Sequence, residues 1–281
     1  MRDMREYHRP KQLEEALALL SRRDVWTVPI GGGSQLIAEG RREVEAVVDL
    51  RDLNLAYVRR DGGALRVGAT TTLQTMLDSS ESAQAWGSEL MRAVEYTAAR
   101  NLREQGTLAG TLVSAAPNNP LAVLLLAIGV SLTVHAPNRR TLSLDEFFAE
   151  RQILQRGALI TEITIPLART GVAVAFEKVG RTPADLPIVC AAVKARLDGG
   201  ATRDVRIALG GVGASPLRAT RAEQSLEQGQ PPDTVANLIA SEIDPPSDFT
   251  GSAEYRREIA IVLTKRAVQR LYTGSVSTAH A

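Results

Sequence analysis

Residues 28–37 read VPIGGGSQLI: a β-type run, three consecutive glycines, then a polar pair opening a helical stretch. Three adjacent glycines continue neither a strand nor a helix at low cost, so the chain turns sharply there. The turn gathers backbone N–H groups and the Ser34 hydroxyl, and glycine lets a bulky anion approach the backbone. The stretch 28–37 is thus a first candidate cofactor-binding turn. The stretch is neither familiar phosphate loop: G-x-G-x-x-G needs glycine where Leu36 stands, and a P-loop needs Gly-Lys-Ser/Thr. A pyrophosphate nest and a ligand-free tight turn both stay open on these residues. If it is a nest, positive φ at Gly32 makes Gly32→Val abolish binding while sparing the fold.

A second stretch, GTLAGTLVSAAPNNP at 106–120, has neither helical nor strand period and is expected to be an irregular, ligand-wrapping loop. It offers Gly106, Thr107, Gly110, Thr111, Ser114, Asn118 and Asn119, small or hydrogen-bonding residues without an acid–base pair. Leu108, Leu112 and Val113 point to burial. Phe176-Glu177-Lys178 with Arg181 could face an anion, although a solvated strand edge is the plainer reading. LGGVGAS at 209–215 reads as a turn.

Around these stretches, Leu13, Ala16, Leu17 and Leu20 predict an amphipathic helix over 11–21. Strands are predicted at 25–30, 46–50 and 65–67, followed by a long helix over 88–105. Next come a helix at 121–127, a strand at 130–135, a short helix near 144–150 and a strand at 159–165. A boundary is expected at 168–171. Beyond it, strands at 173–179, 188–197 and 204–209 precede helices at 220–228, 233–241 and 252–273. Asp198-Gly199-Gly200 joins the last two strands as a hairpin. Strands and then helices in blocks indicate an α+β chain whose C-terminal antiparallel sheet carries helices on one face.

Composition narrows the function. The 281 residues hold 33 Lys+Arg against 32 Asp+Glu, so no basic nucleic-acid footprint exists. The longest apolar run, Leu121 to Val134, is broken by Gly129, Ser131 and Thr133 and falls short of the about 20 residues of a bilayer span. MRDMREYHRP carries charge and no apolar core, so no export signal is expected. A lone Cys190, in LPIVCAAV, cannot hold zinc or an iron–sulfur cluster and reads as a buried inert thiol. His8, His135 and His280 are scattered and expected at the surface or at strand ends. No catalytic residue and no metal site are expected, and redox chemistry would need an organic cofactor.

Taken together, YHRPKQLEEALALL, IGGGSQLI, NLREQGTLAGTLVSAAP, ALITEITIP, FEKVGR, RIALGGVGASPLRAT and SAEYRREIAIVLTKRAV resemble, in this order, the FAD-binding medium subunit of molybdenum hydroxylases, the xanthine dehydrogenase and aerobic carbon monoxide dehydrogenase group. The resemblance implies a bipartite FAD-binding region of two α/β subdomains, PCMH-type, over 1–168 and split near 54. A C-terminal domain over 169–281 would cover the flavin. It implies non-covalent FAD held by Ile30–Leu36 at the pyrophosphate and ribityl region. A second loop would comprise Thr107, Ala109, Gly110, Thr111 and Ser114, with Ile160 on the flavin and Lys178 near the domain junction. It further implies a cytoplasmic electron relay from an iron–sulfur small subunit to NAD, a quinone or dioxygen. Molybdopterin and [2Fe-2S] clusters would sit on partner chains, in a dimer of heterotrimers. A flavin-free scaffold subunit is the alternative. The chain departs from the family pattern at Ala109-Gly110-Thr111, where Gly-Gly-Asn is usual, at Ala116, where an acidic residue is frequent, and at Pro120, where Asp is usual.

Overall fold

The computed structural model describes residues 4–40, 43–114, 116–135, 138–150, 157–182 and 185–274. The chain runs β1 (Glu6–His8), α1 (Leu13–Leu20), β2 (Thr27–Ile30), α2 (Ser34–Glu39), β3 (Ala46–Asp49), β4 (Val58–Asp61) and β5 (Ala64–Gly68). Then follow α3 (Leu73–Asp78), α4 (Ser80–Thr97), α5 (Arg100–Arg103), α6 (Leu108–Ser114), α7 (Pro120–Ile128), β6 (Ser131–His135), β7 (Arg139–Ser143), α8 (Leu144–Ala149) and β8 (Leu159–Pro166). The remainder is β9 (Val172–Val179), β10 (Val189–Asp198), β11 (Ala201–Gly210), β12 (Leu217–Arg218), α9 (Thr220–Glu227), α10 (Pro232–Leu238) and α11 (Ala253–Gly274).

Two compact units share this chain by interleaving. One holds Met1–Gln84, Ala99–Ser114 and Val130–Ile165; the other holds Ala85–Ala98, Ala115–Gly129 and Pro166–Ala281. The first contains a parallel sheet in the order β1-β3-β2 and a five-stranded sheet in the order β4-β5-β8-β6-β7. The predicted periodicity of α1 is realised: Ala16 and Leu20 are buried against Val48, Leu50 and Leu159. Strands β1, β4 and β7 are absent from the predicted set. β1 and β4 are short and half-exposed or exposed along their length, so neither shows an apolar alternation.

The second unit is built on an antiparallel sheet in the order β12-β11-β10-β9. The hairpin at Asp198-Gly199-Gly200 is present, with φ of 56° at Gly199 and 91° at Gly200, the double positive value a tight two-residue turn demands. Val189, Ala191, Val193 and Ala195 of β10 enter one core with α9, α10 and α11. The alternate residues face the other way. Cys190 pairs in register with Gly210, and a Cβ on Gly210 would meet Val123 of α7 at 2.6 Å. α7 therefore covers the opposite face of the sheet, and all nine of its residues are buried. A helix apolar all round is one enclosed on every side.

Three expectations are corrected. The long helix over 88–105 is two pieces: α4 ends at Thr97, and Ala99 is extended (ψ 157°) ahead of α5. α4 is itself interrupted at Trp86 and Gly87, where the Trp86 indole donates to the Pro166 carbonyl at 2.6 Å. The stretch 106–120 is not irregular, because α6 occupies its centre and Asn119 caps α7 by accepting from the Ala122 N–H at 2.9 Å. Pro120 stands in the first turn of that helix, where its missing N–H costs nothing. Leu108 and Leu112 are buried as expected, whereas Val113 is 46% exposed. Ala115 and His280 lie outside the described residues.

Candidate functional site

Strand β2 leads into the first glycine turn, with Ile30 paired beside Asp49 at the end of β3. Of the three glycines only Gly33 has a positive φ, 72°, and it forms the N-cap of α2. Having no side chain, it leaves the first-turn N–H groups of Ser34 and Gln35 uncapped. Gly31 and Gly32 are required for a different reason. A Cβ on Gly32 would lie 1.6 Å from the Gln105 carbonyl oxygen, and one on Gly31 would lie 3.1 Å from Thr107 Oγ1. A Cβ on Gly106 would meet Ser34 Oγ at 3.7 Å. The two candidate stretches, distant in sequence, thus interlock backbone to backbone. The expectation that Gly32 serves a positive φ is overturned: it serves this close approach, so Gly32→Val cannot spare the fold.

On the second stretch, Thr107 caps α6 by accepting from the Gly110 N–H at 3.1 Å. The cap uses a lone pair and leaves the hydroxyl proton available to donate. Thr111 and Ser114 commit their protons inward, to the carbonyls of Thr107 and Thr111 at 3.0 Å each. The Thr111 hydroxyl keeps lone pairs that can accept, which suits the hydroxyl groups of a ribityl or ribose chain better than a phosphate. Gly110 is exposed, while Ala109 is only 8% exposed, its methyl buried within the unit. Gly31, Gly32, Gly33, Ser34 and Leu36 are half-buried and Gln35 is exposed. Neither stretch contains a carboxylate, so no fixed negative charge of its own opposes an anionic ligand.

The anchor of the second stretch was not legible beforehand. The Leu108 N–H donates to the Thr71 carbonyl and the Leu73 N–H to the Gly106 carbonyl, both at 2.9 Å. Thr72 and Thr107 form an isolated bridge. Residues 68–74, GATTTLQ, are themselves rich in small hydroxylated residues, the one signal that could have flagged them.

Two predicted site residues stand outside the interlock. Ile160 is 4% exposed within the five-stranded sheet, paired with Val134 beside a bulge. Lys178 belongs to the second unit, where its ammonium lies 4.0 Å from the centre of the Tyr96 ring. Phe176–Lys178 lie on the edge strand β9, as expected, but this edge is only partly solvated. Phe176 is buried, and Glu177 accepts from Arg270 at 2.6 Å; Arg270 also reaches Glu89 at 2.8 Å. Cys190 is fully buried, and burial pushes its thiol far above the ordinary range. His8 meets Glu6 at the end of β1, and His135 closes β6 half-buried. No group of His, Cys, Asp or Glu among the described residues could hold a metal ion.

Two family models together cover most of this chain. Residues 2–168 match the FAD binding domain in molybdopterin dehydrogenase, and residues 174–271 match the CO dehydrogenase flavoprotein C-terminal domain. The chain belongs to this flavoprotein family. It is similar to the carbon monoxide dehydrogenase medium chain of Afipia carboxidovorans, 31% identical over 94% of this chain and 96% of the relative. It is also similar to the glyceraldehyde dehydrogenase medium chain of Sulfolobus acidocaldarius, 29% identical over 94% and 97%. Among solved structures, carbon monoxide dehydrogenase from Hydrogenophaga pseudoflava superposes with a TM-score of 0.86 at 27% identity, over 96% of this chain and 98% of that one. This flavoprotein-family chain is thus an FAD-binding medium subunit of the molybdenum hydroxylase type, its relatives being oxidoreductase subunits. The interlocked stretches fit the cofactor: uncapped N–H groups and a hydroxyl for a diphosphate, an acceptor hydroxyl for a polyol, and no carboxylate between them.

Proposed function

We propose that this chain is the electron-transfer subunit of a heteromeric molybdenum-dependent dehydrogenase, taking electrons from an iron–sulfur subunit and passing them to NAD, a quinone or dioxygen. The observation that carries this reading is the interlock of Gly31–Gly33 with Gln105–Thr107, which builds one cradle from two separate stretches. When bound, FAD supplies the redox chemistry, accepting and releasing electrons singly or in pairs. The chain's own part is to hold it. The N–H groups of Ser34 and Gln35 and the Ser34 hydroxyl would face the diphosphate, with Ile30 and Leu36 as apolar walls. Thr107, Thr111 and Ser114 would take the polyol, with Gly110 leaving room and Ala109 packed behind. Ile160 would lie on the ring side of the same unit.

We assign the FAD-binding region to 1–168 and the C-terminal domain to 169–281, in a cytoplasmic dimer of heterotrimers whose partners carry the clusters and molybdopterin. No acid or base stands in the cradle, which supports a relay over a substrate-converting site. Reduction of the reconstituted complex with its substrate, followed by rapid-scan absorbance, tests the reading. The clusters and the flavin should bleach together; a flavin that stays oxidised while the clusters reduce would refute the relay.

A further inference from the structure

Beyond the cradle, one turn in the second unit is built with unusual care around a side chain the fold does not use. Asp248 and Gly251 pair through both backbone bonds, at 3.1 and 3.2 Å, leaving Phe249 and Thr250 at the tip. Asp248 accepts from the Thr250 N–H at 2.7 Å and from its hydroxyl at 2.5 Å. Beneath lies Arg256, 3% exposed, whose guanidinium holds both Asp248 oxygens at 2.8 Å, Thr250 Oγ1 at 2.6 Å, and the carbonyls of Ile188 at 2.8 Å and Gly211 at 3.1 Å. The hydrogen bonds from Thr250 and Arg256 hold the Asp248 carboxylate ionised down to about pH 2. On this rigid base Phe249 stands 93% exposed, with Leu186 (45%) and Tyr255 (38%) also exposed in the segments that Arg256 ties to it.

A large exposed aromatic side chain carried on a backbone turn that is already hydrogen-bonded in place has little backbone entropy left to lose on docking, which is the character of an interface anchor. The charges nearby choose the occupant. Flanking the turn in sequence, Asp244, Glu254 and Glu258 are exposed and Arg257 is half-buried, while the exposed Arg181 near Leu186 is already paired with Asp185 at 3.3 Å. A second copy related by a twofold axis would set this acidic surface against itself. An anionic lipid surface or a nucleic acid would be repelled as well.

We infer that Phe249 is the anchor by which this chain docks a different protein subunit, one offering an apolar pocket rimmed by lysine or arginine. The inference rests on the proposed place of the chain in a heteromeric complex. Its test is co-expression of the full chain with its iron–sulfur and molybdopterin partners, comparing wild type with Phe249→Ala and measuring complex affinity and salt dependence. The substitution at an exposed tip should leave the melting temperature and FAD content of the isolated chain unchanged, while affinity for a partner drops by about tenfold or more. Wild-type affinity should also weaken as salt rises. Equal assembly of both variants would overturn the anchor while leaving the subunit assignment standing. Failure of the wild type to assemble would overturn both. A dimer of the isolated chain that Phe249→Ala abolishes would assign the turn to a second copy and overturn the inference.

Discussion

Gly32 and the Gln105 carbonyl are packed so closely that a single methyl group would have to sit 1.6 Å from that oxygen. Both partners are backbone, so neither can swing away as a flexible side chain would. Gly32→Ala should therefore destabilise the chain even without cofactor, by about 1–3 kcal/mol or more from overpacking. Gly33→Ala, which meets a positive φ of 72°, should cost about 1–2 kcal/mol. Urea unfolding of both variants with flavin removed measures this; an apo stability unchanged in Gly32→Ala would mean the stretches do not interlock.

At Thr107 the same cradle can be probed more gently. Thr107→Val keeps the shape and removes the cap on the Gly110 N–H, at a cost of about 1 kcal/mol. FAD affinity should fall with it. Thr111→Asn should hold or raise affinity, since an amide both donates and accepts. Fluorescence titration with FAD compares them with wild type.

Glu162 provides a pH-dependent contribution. Burial pushes its carboxyl up, but hydrogen bonds from Arg66 at 2.7 Å and Tyr57 at 2.9 Å outweigh this and hold it below the usual value of 4.5. Burial and Glu162 push Tyr57 up to about 12, so it remains a neutral donor. Because the folded value lies below the unfolded one, the stabilisation is complete above the unfolded value and disappears as pH falls through the folded one. Glu162→Gln should cost about 1–3 kcal/mol near neutrality. The gap from wild type should close in acid, as urea unfolding across pH would show.

Much of the fold was legible because its signals are local. The α1 periodicity, the glycine hairpin at 199–200 and the strand-then-helix blocks after residue 170 each rest on neighbours in sequence. What was not legible depends on distant partners. The helix α6 hides in a Gly/Thr/Ser run because Thr107 caps it and Leu108 and Leu112 are buried by tertiary packing, none of which a 3.6-residue pattern shows. That Gly31, Gly32 and Gly33 make a sharp turn could be read from glycine chemistry alone. Their reason for being glycine could not, since it lies in a carbonyl at position 105.

The pairing of α7 with the C-terminal sheet leads to a fourth expectation. A fragment of residues 169–281 lacks both Val123, which packs on Gly210, and Glu89, which holds Arg270. It should fail to fold alone, giving poorly dispersed amide signals in solution. A well-dispersed spectrum would show that α7 and the end of α4 are dispensable to this unit.

The proposed role as an electron carrier stands or falls on FAD. Purified full-length chain, expressed without partners and titrated with FAD, should retain a stoichiometric, non-covalent amount, visible as the flavin absorption band and released on acid denaturation. Gly32→Ala and Thr107→Val should retain less. A folded wild-type chain that stays colourless in excess FAD, yet assembles with its iron–sulfur and molybdopterin partners, would contradict the claim and leave a scaffold in its place.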